Sequence, residues 1–290
     1  MAQKICLGVE IGQNGLKIAL VEPKRRKIVK VDSVPTSGNS MREPSVYTSV
    51  ISSWVRSKLL PKIEATAVAF STDNSIIRTI AIPKEADNPS SYVNWEFESA
   101  VGNSNNYRMN IFFFPNHKKP EFAVVSALRK GVLDSFSSLE VERSGFKPVS
   151  MTADLFTLFN LIECSEGLGS KVRCILKADE TFATAFWLSE KGILATRALP
   201  KEYISEESVL DILDSGFADF PRAKRTVKFC GELTENVAFV DNIESGAERL
   251  RNPMRISLWN SVPRFSFEKG EEFSKLPQCL GAVGATLSCI

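Results

Sequence analysis

The stretch that decides the fold is Ile5–Glu22, ICLGVEIGQNGLKIALVE. Apolar residues flank Gly12-Gln13-Asn14-Gly15, so the segment reads as two strands joined by a glycine-rich turn. Glu10 stands two positions before the first glycine. Glycine has no Cβ, so such a turn presents backbone N–H groups that a phosphate can approach closely. Most strand–glycine–strand turns are hairpins and nothing more. This one gains weight because a similar set of strands recurs later in the chain and a self-contained module lies between the two.

Outward from the turn, a third strand pattern covers Lys27–Val34 and a polar loop covers Pro35–Ser45. Val46, Val50 and Trp54, with Ile51, Val55 and Leu59, recur at spacing four and predict a helix that Pro61 ends. Strand patterns follow at Thr66–Phe70 and Ser75–Ile82. Asn88-Pro89 then reads as a cap and first-turn proline for a helix over Ser90–Val101. Strands are expected at Met109–Phe114 and Glu121–Ala127, and a helix near Lys130–Ser144 closed by Gly145. Pro148–Thr152 reads as a strand and Asp154–Ile162 as a helix.

From residue 172 the pattern starts again. Val172–Lys177, Phe182–Leu188 and Ile193–Leu199 are three successive strand patterns, joined by Ala178-Asp179-Glu180-Thr181 and Ser189-Glu190-Lys191-Gly192. A helix over Glu206–Phe220, a strand over Thr226–Cys230 and a helix from about Glu235 follow. A glycine- and alanine-rich helix over Leu276–Leu287 closes the chain. Three antiparallel strands and a helix thus occur twice. That order predicts an α/β, two-lobed, duplicated ribonuclease-H-like fold whose halves face each other across a cleft, with a small inserted strand-helix-strand-strand α+β module. The expected domains are 1–75 with 148–165 for the N-terminal lobe, 76–147 for the inserted module, and 166–290 for a shortened C-terminal lobe.

Lys and Arg number 36 against 34 Asp and Glu, a net charge of +2, which carries no nucleic-acid footprint. Basic residues cluster only at Lys24-Arg25-Arg26-Lys27, read as a solvated turn, and at Arg222–Lys228. Glu10 and Lys17 interrupt the apolar start, so no secretory leader is expected. No uncharged apolar run approaches the length of a membrane span, so no direct membrane insertion is expected either. The six cysteines form no C-x-x-C pair and suit reduced core thiols of a cytoplasmic protein. The single histidine, His117, falls in a polar turn, so neither His-based triads nor a transition-metal site is expected.

At this point the chain resembles the actin-like ATPase superfamily and, within it, the type IV pilus assembly PilM family. The resemblance rests on Glu10-Ile11-Gly12-Gln13-Asn14-Gly15-Leu16-Lys17, on Ala67–Phe70 and Ile76–Pro83, and on Trp95-Glu96. Ala123–Ala127, Ser144–Pro148, Asp154-Leu155-Phe156 and the tail Leu280–Leu287 extend it. It covers most of residues 1–200 and the final dozen, and the order of motifs carries it. It implies an ATP and Mg²⁺ cleft formed by Glu10, Gly12, Gln13, Asn14, Asp179, Thr181 and Gly231. Four departures weigh against a bound nucleotide. Glu10 stands where the family has Asp. Ala178-Asp179-Glu180-Thr181 has no glycine and two adjacent carboxylates, each like charge at 4 Å costing about 4 kcal/mol at an effective dielectric near 20. Cys230-Gly231-Glu232 keeps one glycine of the usual pair, and the C-terminal lobe is short.

What the resemblance implies first is a scaffold on the cytoplasmic face of the inner membrane, holding the short cytoplasmic tail of a PilN-like membrane protein. Trp95, Phe112 and Phe114 of the inserted module would line the groove, against the alternative that the phenylalanines fill the module's own core. Self-association is left open. The second reading is an ATP-hydrolysing enzyme or small-molecule kinase, with Glu10 or Asp179 holding Mg²⁺ and Lys17 pointing outward from the second strand. No catalytic base is assignable, and no catalytic residue is named. A third reading, a cytoskeletal protein of the FtsA kind, lacks the amphipathic C-terminal anchor it would need.

Overall fold

The apolar runs about the glycine turn form strands β1 (Ile5–Ile11) and β2 (Gly15–Glu22), both buried along their whole length. Next come β3 (Lys27–Pro35), α1 (Pro44–Ser57), β4 (Ile63–Phe70), β5 (Ile76–Ala81), α2 (Pro89–Val101), β6 (Tyr107–Phe114) and β7 (Phe122–Arg129). The middle of the chain supplies α3 (Lys130–Ser137), β8 (Pro148–Ala153), α4 (Asp154–Glu166), β9 (Arg173–Ala178), β10 (Phe182–Ser189) and β11 (Gly192–Pro200). The last stretch supplies α5 (Glu206–Ala218), β12 (Thr226–Cys230), α6 (Val237–Arg249), β13 (Arg255–Leu258), β14 (Ser266–Phe267) and α7 (Leu276–Ala285). The computed structural model describes residues 5–36, 43–57, 63–114, 120–137, 148–269 and 273–289. Leu59, Pro61, His117 and Gly145, singled out from the sequence, lie outside them.

The chain divides into two units. The first comprises Met1–Asn74, Gly131–Gly167 and Trp259–Ile290, the second Ser75–Lys130 and Leu168–Leu258. The first holds a six-stranded sheet in the order β14-β3-β2-β1-β4-β8. In it β1 runs antiparallel to β2 and β2 to β3, while β1, β4 and β8 run parallel. The second unit holds a five-stranded sheet, β11-β10-β9-β12-β13, with antiparallel β11, β10 and β9 and parallel β9, β12 and β13. Three antiparallel strands continued by two parallel ones therefore occur in both, which is the expected duplication. A three-stranded antiparallel sheet, β5-β7-β6, also belongs to the second unit.

Around Leu176, Trp187, Leu213, Phe217, Phe229 and Ile243 the second unit packs α5 and α6 onto its sheet. The inserted module has its own core. Val93 and Phe97 of α2 cover Ile80, Ala123, Val125 and Ala127, with Ile111 and Phe113 packed alongside. The predicted cap is formed, Asn88 accepting a 3.0 Å hydrogen bond from Ser91 N–H, with Pro89 in the first turn.

Residues 259–290, expected in the C-terminal lobe, pack in the first unit instead. Helix α7, LPQCLGAVGA, is apolar apart from Gln278 and buried at every position, as befits a helix inside a core. It lies on β1, β2, β3, β4 and α4. Gly8 of β1 makes the approach possible, since a Cβ there would stand 1.9 Å from the Ala282 carbonyl oxygen. Ser266 and Phe267 then add β14 to the edge of β3. In α1, Ile51 and Trp54 of the expected stripe are buried, while Val46, Val50 and Val55 are half-buried and Tyr47, which the stripe did not include, is buried beside them.

Candidate nucleotide and peptide sites

In the first unit the glycine turn is held from outside. Gly12 N–H donates to the Gly15 carbonyl at 3.0 Å, closing the turn. The Tyr47 hydroxyl reaches the carbonyls of Gly12 (3.1 Å) and Gln13 (2.8 Å), and Thr36 N–H donates to that of Asn14 (2.9 Å). Tyr47 is fully buried and lies 35 positions from Gly12, so nothing local in the sequence marks it.

Glu10 is 0% and Lys17 1% exposed. They are cross-strand partners, with Nζ 3.9 Å from Oε1. The expectation that Lys17 points outward is corrected: its ammonium lies beneath the turn, 3.3 Å from where a Cβ on Gly12 would sit. A charged side chain at this depth needs the opposite charge beside it. The Glu10 carboxylate is covered by α7, since a Cβ on Gly281 would fall 1.9 Å from Oε2. Beside them burial, reinforced by the Glu10 charge and opposed by Lys17, pushes the Cys279 thiol up to about 12.

Two polar clusters complete this region. At the end of β1 the Ile11 carbonyl accepts from Ser71 N–H and Oγ, both at 3.0 Å, and from Asn74 Nδ2 at 3.2 Å. The fully buried Asp154 accepts from Thr72 Oγ1 at 3.0 Å. Along β3, Asp32 accepts from Trp54 Nε1 (2.8 Å), Lys275 Nζ (3.2 Å) and Ser33 N–H (2.9 Å). Partial burial would raise the Asp32 carboxyl, but the hydrogen bonds from Trp54 and Lys275 outweigh it and hold the group below its ordinary value. Asp32 thereby ties α1 and the entry to α7 onto one strand.

In the second unit Asp179 is buried and engaged on both oxygens. Lys177 Nζ lies 2.7 Å from Oδ2, and Glu232 N–H donates to Oδ1 at 3.0 Å. Asp179 N–H donates to the Phe182 carbonyl at 2.9 Å, closing the turn that carries Thr181. Glu180 N–H donates to the Glu232 carboxylate at 3.1 Å. Of the two adjacent carboxylates, Asp179 is thus offset by an internal lysine and only Glu180 is exposed. Gly231 has φ +106°, and a Cβ on it would stand 2.3 Å from the Ala178 carbonyl oxygen. It lets the end of β12 close on the turn after β9.

The structure therefore brings Glu10, Gly12, Gln13 and Asn14 together in one unit and Asp179, Thr181 and Gly231 together in the other. Among the described residues no group of three or more His, Cys, Asp or Glu could hold a metal ion.

The three aromatic residues of the expected groove do not share a surface. Side chains alternate along a strand, and Tyr107, Met109, Ile111 and Phe113 face the core under α2, so Phe112 and Phe114 face the other side of the sheet. Phe114 stacks on Phe122, with centroids 5.6 Å apart, and its ring lies over Gly192. Trp95 is 60% exposed on α2, 6.0 Å from the ring of Tyr92. The Tyr92 hydroxyl donates to Glu96 at 3.0 Å, which raises its pKa.

No family model matches the chain, and no curated protein matches it in sequence. Solved structures do match. A PilM–PilN type IV pilus biogenesis complex superposes with a TM-score of 0.70 at 16% identity, over 99% of this chain and 98% of that one. A Bacteroides thetaiotaomicron protein with an actin-like ATPase fold and unknown function gives 0.55 at 8% identity, over 90% and 93%. The cytoplasmic domain of EpsL, an inner-membrane component of the Vibrio cholerae type II secretion system, gives 0.51 at 10% identity, over 97% and 94%. With the same five-strand order present in both units and these superpositions spanning nearly the whole chain, the protein has the actin-like ATPase fold.

Proposed function

We propose that the chain is a non-catalytic scaffold of a pilus- or secretion-type inner-membrane assembly, and that its inserted module binds the short cytoplasmic tail of a PilN-like membrane protein. The observation that carries this reading is how the nucleotide positions are spent. Glu10 lies under Gly281 beside Lys17, Asp179 is engaged by Lys177 and the Glu232 backbone, and Gly231 is packed on Ala178. A magnesium nucleotide needs carboxylates and backbone donors turned outward to the phosphates and the ion, so the internal engagement of Glu10, Asp179 and Gly231 supports a chain that does not turn one over.

The likeness to the PilM–PilN complex supports the choice of partner. No helix among the described residues is long and apolar enough to cross a membrane; in this reading the partner carries the membrane link. In the module Trp95 is the exposed aromatic anchor, and interface energy concentrates in such residues. Phe114, engaged by Phe122 and Gly192, is part of the support.

Calorimetry separates the alternatives. A peptide copying the cytoplasmic head of a single-span protein encoded beside this chain should bind saturably, and Trp95→Ala should weaken it. ATP with Mg²⁺ should give no binding heat and no phosphate release. Phosphate release above background would overturn the non-catalytic reading, and an inert peptide would overturn the partner.

A further inference from the structure

The basic run Arg222–Lys228 has no role in the scaffold reading. Part of it borders a cavity of about 590 Å³ in the second unit, lined by Ser170, Lys171, Val172 and Phe220–Lys224. Two loops form it: the approach to β9 and the connection from α5 to β12. The connection is fixed in shape, with Phe220 N–H bonded to the Phe217 carbonyl (3.0 Å), Ala223 N–H to that of Phe220 (2.9 Å) and Thr226 N–H to that of Lys224 (2.8 Å). Phe220 stacks on the buried Trp187, with ring centroids 6.4 Å apart. Val172, Phe220 and Ala223 pack against the core below, so the floor is apolar.

The rim is cationic. Lys171, Arg222 and Lys224 are exposed around the opening, and no carboxylate lines it. The two acids of the adjoining helix end are committed elsewhere. Asp214 pairs with Arg225, and Asp219 pairs with Arg197 at 2.7 Å. Arg225 itself lies 5.0 Å over the Phe217 ring, turned to the core. Among the described residues, no ion pair engages Lys171, Arg222 or Lys224.

We infer that this cavity is a docking site for an acidic peptide segment that inserts one apolar side chain. The cations select acidic residues, and the Val172–Phe220–Ala223 floor takes the anchor. A simple anion makes no use of an apolar floor of this size. A lipid surface, being flat, makes no use of a recess whose walls are built from the protein's own loops. An acidic chain with an aromatic or aliphatic residue among its carboxylates uses both. The site lies outside the inserted module and does not depend on the scaffold reading.

The test uses the full chain, isotopically labelled, titrated with a short peptide of Asp and Glu carrying one central Phe. Amide shifts should concentrate on 170–172 and 220–224 and weaken as salt is raised. The triple variant Lys171→Glu, Arg222→Glu, Lys224→Glu should lower affinity at least tenfold with an unchanged melting temperature. Exchanging the peptide's Phe for Ala should lower it severalfold. If the triple variant melts early, Arg222→Gln replaces it, with a smaller loss expected. Three outcomes overturn the proposal: no localised shifts with the peptide, the same shifts from inorganic phosphate at equal concentration, or charge-dependent binding to phosphatidylglycerol vesicles without peptide binding.

Discussion

Replacing Gly8 by alanine tests whether α7 sits backbone on backbone against β1. The added Cβ would stand 1.9 Å from the Ala282 carbonyl oxygen, 2.9 Å from its carbon and 2.8 Å from the Thr286 methyl. Real Cβ atoms essentially never come within 3.0 Å of a heavy atom outside their own residue and its chain neighbours, so the helix must retreat by about 1 Å or tilt. The oxygen belongs to the main chain of a helix buried at all ten positions, and no rotamer relieves the clash. Overpacking of a core costs about 1–3 kcal/mol, and with a rigid obstacle the upper figure applies. For a folding unit of this size about 3 kcal/mol lowers the melting temperature by roughly 6–12 °C. Differential scanning calorimetry reads it directly. Gly131→Ala is the control: nothing among the described residues lies within 4 Å of a Cβ there, and alanine is the better helix former by about 1 kcal/mol, so its melting temperature should hold or rise. A Gly8→Ala protein melting within about 2 °C of the parent would refute the packing argument.

Tyr47→Phe removes the hydroxyl that serves the Gly12 and Gln13 carbonyls while keeping the ring, and should cost about 1–3 kcal/mol in urea unfolding. Lys177→Met strands the buried Asp179 charge and should cost about 3–5 kcal/mol, with Asp179→Asn restoring part of the loss in the double variant. The Asp32 carboxyl is held low in the folded chain, so its stabilisation is complete above the ordinary carboxylate range near pH 4 and is lost as pH falls below it. Unfolding midpoints between pH 6 and 3 should therefore fall less steeply in Asp32→Asn, the difference being at most about 1 kcal/mol for a partly exposed pair. Trp95→Ala should leave stability within about 0.5 kcal/mol yet weaken the membrane-partner peptide about tenfold.

Much of the architecture was legible because β1–β3 and β9–β11 are long enough for apolar runs and turn residues to mark both ends. Strands β13 and β14, four and two residues long, are too short to show a period. The destination of α7 was hidden for a different reason: a helix whose one polar residue is Gln278 has no polar face to say which sheet it covers. At the candidate site the glycine positions were readable, but the uses of the charged residues were not. Glu10 and Lys17 meet only through strand register. Lys177 and Asp179 did carry a signal, since residues two apart where a strand runs out into its turn fall on the same side. Tyr47 carried none, because its partners are reached across a loop.

The return of Leu276–Ala285 to the first sheet constrains how the protein is made. Ser75–Lys130 and Leu168–Leu258 leave the ribosome before the segment that covers Gly8 and Glu10 has been synthesised. At ordinary elongation speeds the interval between β1 and α7 is roughly 15–50 s. Through that interval the N-terminal hairpin carries an unshielded apolar face and a lysine–glutamate pair still in contact with water, so the second unit completes its chain before the first unit has the helix that covers it. Deleting residues 276–289 should accordingly leave Gly8 and Glu10 uncovered, with faster amide exchange along β1 and β2.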